Sequence, residues 1–66
     1  MRLRKNQIIA SLKKEILEAK EYIEIATEYS LKEYFAGKKF AYEKSFEILY
    51  PTEAWEFYRE IYKTTD

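Results

Sequence analysis

The sequence predicts an all-α fold, an antiparallel helical hairpin (residues about 6–28 and 30–49) with a short third helix (about 52–63), in a single small helical domain over 1–66. Three observations predict it. Apolar residues recur at helical steps through the first third of the chain. The one glycine and the one proline leave long stretches without a helix breaker. Ser30 and Thr52 each stand where a helix cap is expected, before a new periodic run.

In helix one, Ile9, Leu12, Ile16, Ala19, Ile23 and Ala26 follow one another at steps of three and four, the spacing of one helix face. Asn6 is placed to cap its start. Two positions can end it. Ser30-Leu31-Lys32-Glu33 has the form of a capping box, with Tyr29 and Tyr34 spaced as a hydrophobic staple. Alternatively, one very long helix runs on to Gly37 as a left-handed C-cap. The turn near Thr27 to Tyr29 is preferred.

In helix two, Leu31, Phe35, Tyr42, Phe46 and Leu49 form a stripe, beside a row of small residues, Gly37, Ala41 and Ser45. Small residues let helix backbones approach closely, so the row is expected to face Ala19 where the hairpin crosses most tightly. Glycine weakens a helix interior by about 1 kcal/mol relative to alanine, and such packing would justify it. Tyr50-Pro51-Thr52 ends helix two, since proline disfavours helical geometry in the preceding residue. Helix three then begins at Thr52 with Glu53 and Glu56 in its first turn, favourable to the helix dipole, and shows Trp55, Tyr58 and Tyr62 on one face with Phe57 on the other.

A chain of 66 residues buries only about 60% of the surface its unfolded form exposes. With no Cys and no His there is neither a disulfide nor a Cys/His zinc site to staple it, so association is expected, a homodimer before other states. The twelve basic and twelve acidic residues cancel. Their distribution is uneven, with Arg2, Arg4, Lys5, Lys13 and Lys14 at the head and an acidic excess towards the tail. No apolar run approaches the roughly 20 residues that span a bilayer, and the start lacks the apolar stretch of a signal peptide, which reads as a cytoplasmic chain without a membrane partner.

Without histidine, Ser11, Ser30 and Ser45 lack the usual base, so nucleophilic catalysis is not expected. Glu24 and Glu28, Glu43 and Glu47, and Glu56 and Glu60 pair at four-residue spacing. Helical di-metal sites add Glu-x-x-His motifs that are missing here, so solvated acidic faces are expected and no cofactor or metal. A single glycine excludes the glycine-rich phosphate loops.

Twelve residues are aromatic, all beyond residue 21, more ring surface than so small an interior can hide. The expected interface therefore draws on Tyr22, Tyr29, Phe40, Trp55, Tyr58 and Tyr62, residue types that dominate protein–protein hot spots. The second reading is nucleic-acid contact through Arg2, Arg4, Lys5, Lys13 and Lys14, opposed by a net charge of zero.

The stretch Leu31-Lys32-Glu33-Tyr34-Phe35-Ala36-Gly37-Lys38-Lys39-Phe40-Ala41-Tyr42-Glu43 resembles the second helix of short helical-hairpin accessory proteins of prophages and other mobile elements. The resemblance implies a protein that works by binding, often to a host enzyme or defence component, and carries over no functional residue.

Overall fold

The computed structural model describes residues 4–62 and consists of three helices in chain order, α1 (Lys5–Ile25), α2 (Tyr29–Leu49) and α3 (Pro51–Ile61). The all-α hairpin with a short third helix is the observed fold. The turn falls at Ala26 to Glu28, and α2 runs through Gly37 without a break.

The helix ends differ from the expected ones. Arg4, not Asn6, caps α1; its backbone N–H donates to Gln7 Oε1 at 3.0 Å, and Asn6 already lies inside the helix. Glu28 caps α2, so Tyr29 and Ser30 belong to its first turn and the expected Ser30 capping box does not form. Tyr50 caps α3 with Pro51 as the first helical residue, where its missing N–H costs nothing, and Thr52 lies within the first turn. The expected end of α3 at Lys63 lies outside the described residues.

The stripe on α1 is the inner face: Ile9, Ile16 and Ala19 are buried and Leu12, Ile23 and Ala26 half-buried. On α2 the inner face is narrower than expected. Phe46 is fully buried and Phe35 and Tyr42 half-buried, whereas Leu31 and Leu49 are exposed. Ala54 and Phe57 of α3 complete the core with Ile9, Ile16 and Phe46, edged by Leu12, Tyr42, Tyr50, Tyr58 and Ile61. Phe57, expected on the far side of α3, therefore points inward, and Trp55 points out.

The small-residue row on α2 is also turned around. Gly37, Ala41 and Ser45 are exposed, and a methyl group built on Gly37 meets nothing within 4 Å. The physical reason is bulk: the rings of Phe35, Tyr42 and Phe46 take the facing positions on α2. The space they need comes from the single small residue Ala19 on α1, which lies beside Phe35.

Because α3 covers only one end of the hairpin, the core sits there, between the N-terminal part of α1 and the C-terminal part of α2. No residue beyond Ala19 on α1 or before Phe46 on α2 is buried. The molecule is a slab of 38 × 36 × 16 Å with a radius of gyration of 12.9 Å, against about 11 Å for a compact chain of this length. Its accessible surface, 5492 Å², exceeds the ~4,500 Å² typical of compact monomers of 8.1 kDa. Two helices side by side have no second layer to bury their outer faces, so large apolar side chains stay in water.

Candidate protein interface

Tyr58 is the hinge of the site. One turn after Ala54 and next to Phe57, it edges onto the buried Phe46 ring (centroids 6.4 Å apart) while its hydroxyl reaches α2. That hydroxyl shares its proton between the Glu43 carbonyl oxygen (3.0 Å) and Glu47 Oε2 (3.2 Å). Burial first, and then the bond to the Glu47 carboxylate, push the phenol well above its ordinary value, because ionisation would place two negative charges together away from water.

On the outer side of Tyr58 stand Trp55 and Tyr62, at helical steps of three and four, both edge-on to its ring (5.6 and 6.2 Å). Tyr62 hydroxyl donates to Glu43 Oε2 at 2.7 Å and accepts from Lys39 Nζ, whose ammonium lies 4.8 Å above the Tyr62 ring and 3.5 Å from Glu43 Oε2. Partial burial lowers the Lys39 affinity for its proton, yet the Tyr62 hydroxyl and the Glu43 carboxylate outweigh it and hold the ammonium above its ordinary range. Burial likewise raises the Tyr62 phenol; Lys39 opposes this and Glu43 adds to it. The polar atoms thus latch α3 to α2, and the rings are fixed with their edges outward.

Phe40 joins this row through charges. Lys44 Nζ lies 5.4 Å above the Phe40 ring and 4.0 Å from Glu47 Oε1, the residue that also accepts from Tyr58. Phe40, Tyr58, Trp55 and Tyr62 are therefore linked along one side of α2 and α3. Trp55 is 58% and Phe40 60% exposed; Tyr58 is half-buried.

Tyr22 and Tyr29 lie elsewhere, at the closed end of the hairpin. Tyr22 stacks on Phe35 at 4.8 Å with 19° between planes, and Tyr34 edges onto Phe35 at 5.1 Å. Tyr29 in the first turn of α2 is exposed, with Ile25 beside the turn equally bare. The six ring positions thus divide into a row of four and a separate pair.

The basic head is partly occupied. Lys5 forms a 2.7 Å ion pair with Glu53 and lies 5.6 Å above the Tyr50 ring; the bond to Glu53 raises Lys5, and the bond from Lys5 lowers Glu53. Lys13 lies 5.5 Å above the Phe57 ring. Arg4 and Lys14 are exposed, and Arg2 lies outside the described residues.

Sequence reasoning passed over Ile48, the most exposed large apolar residue at 78%, and Tyr34 at 58%. Both share the outward side of α2 with Gly37 and Ala41, a signal hidden by assigning the small residues to the inside. Among the described residues no group of three or more acidic, His or Cys side chains is placed to hold a metal, and no helix is long and apolar enough to cross a membrane. A dent of about 40 Å³ between Glu15, Glu18, Ala19, Tyr22, Phe35 and Lys38 has room for a water or two. Comparison with protein-family models, with curated proteins and with solved structures found no match to this chain.

Proposed function

We propose that this protein is a non-catalytic binding module that works in the cytoplasm, self-associates and docks on a second protein through its aromatic side. The observation that carries the reading is the row Phe40, Tyr58, Trp55 and Tyr62, rings held edge-outward by a hydrogen-bonded latch on a slab too thin to bury them. Pre-ordered Trp and Tyr side chains lose little conformational freedom when a partner covers them, and they combine apolar area with hydrogen-bonding edges. The likeness of residues 31–43 to accessory proteins of prophages and mobile elements makes a host protein the proposed target.

Nucleic-acid contact is the weaker reading. Lys5 is neutralised by Glu53 and Lys13 is laid on Phe57, which leaves Arg4 and Lys14 as the free described charges of the basic head on a chain of zero net charge.

Trp55 is the one tryptophan and so a built-in reporter. Its emission is expected to shift to the blue when a partner is added, and Trp55→Ala to cut affinity at least tenfold while the helical circular dichroism is unchanged. An affinity equal to that of the unaltered chain would sink the assignment of this row. A steep loss of binding to a DNA or RNA oligomer with added salt would instead support phosphate contact.

A further inference from the structure

The outward side of α2 carries a pattern that the α3 row does not use. Tyr34, Gly37, Ala41, Ser45 and Ile48 follow one another at intervals of three, four, four and three residues, and all five are exposed. The sequence of intervals reads the same in both directions, with large side chains at its ends and small ones between. We infer that this face packs on the same face of a second copy of the chain, the two α2 helices running antiparallel and crossing at Ala41. The inference rests on the protein-binding reading above and names the chain itself as one partner.

A two-fold axis at Ala41 sets Tyr34 of one copy against Ile48 of the other and Gly37 against Ser45, so every large residue meets an exposed large residue and every small one a small one. Charge selects the direction. Glu33 lies towards the N-terminal end of this face and Lys44 towards its C-terminal end. An antiparallel pair brings unlike charges and opposed helix dipoles together, whereas a parallel pair brings like charges together. Glu33 forms no ion pair among the described residues, and Lys44 reaches Glu47 only at 4.0 Å.

Area supports the same occupant. The chain exposes about 1,000 Å² more than a compact monomer of its mass, and a standard interface removes about 800 Å² from each partner. The glycine also gains a reason. Within one chain nothing approaches Gly37, so no contact explains a residue that weakens the helix; a second backbone crossing there does.

The chain has no cysteine, so single-cysteine variants report proximity cleanly. Sedimentation equilibrium of the unaltered protein should give twice 8.1 kDa, falling towards the monomer on dilution. Under mild oxidation Ala41→Cys should link to itself; Gly37→Cys and Ser45→Cys should each link poorly alone and readily when mixed. Glu21→Cys, exposed on α1, should stay at background. All four sites are exposed, and unchanged circular dichroism confirms folding of each variant. A monomer at every concentration overturns the inference, as does efficient self-linking of Gly37→Cys and Ser45→Cys, which marks a parallel pair. A dimer that links through Trp55→Cys but not Ala41→Cys also overturns it, yet leaves the protein-binding reading standing.

Discussion

Replacing Gly37 with alanine sets two physical pictures against each other. If the small-residue row lay at the hairpin crossing, an added methyl would push α1 and α2 apart and destabilise the chain. In the structure Gly37 lies in the middle of a 21-residue helix with no positive φ, and an added Cβ meets nothing within 4 Å. What remains is the backbone term: alanine in an exposed helix interior is better than glycine by about 0.9 kcal/mol. The entropy of unfolding of a 66-residue chain is about 0.14 kcal/mol/K, so the melting midpoint should rise by roughly 6 °C. The assay is thermal unfolding followed by circular dichroism at 222 nm, over a dilution series reaching the monomer, so that any effect on pairing of the α2 faces separates from helix stability. A midpoint lowered or unmoved at the dilute end would refute the outward placement of this row.

Three further outcomes follow from the packing and the latch. Phe46→Ala empties the fully buried centre of the core and should cost about 3–5 kcal/mol. A chain of this length has roughly 3–10 kcal/mol to lose, so chemical denaturation should find the variant largely unfolded at 37 °C. Tyr58→Phe keeps the ring against Phe46, Phe57, Trp55 and Tyr62 and deletes only the hydroxyl, so it should cost about 1 kcal/mol in a urea titration; a loss as large as that for Phe46→Ala would mean the latch, not the core, holds α3. Tyr58, Tyr62 and Lys39 all hold their protons more tightly when folded. Their contribution is therefore complete below their ordinary values of 10.0 and 10.5 and lost as pH rises past them. Stability should decline from about pH 10 upward, and absorbance at 295 nm should show tyrosines ionising late, together with unfolding. Phenols that titrate normally while the helices persist would contradict the network.

The sequence by itself determined the three helices and the inner stripe of α1. These follow from local chemistry: the three-to-four spacing of Ile9 to Ala26, the absence of breakers up to Gly37, and Pro51. It also indicated an excess of rings, because that depends only on counting them against a small interior. Cap positions slipped by one or two residues, since Arg4, Glu28 and Tyr50 provide extended backbone without a distinctive side-chain bond.

Only the tertiary structure decided which way α2 and α3 face. Both carry apolar residues around much of their circumference, so periodicity offers more than one inner stripe. The choice falls to packing: Phe46 and Phe57 close around Ile16 where three helices meet. That position turns Gly37, Ala41, Ile48 and Trp55 to the outside and draws Lys39 and Glu43 beneath Tyr58 and Tyr62. Such contacts join residues far apart in the chain, and no local pattern encodes them.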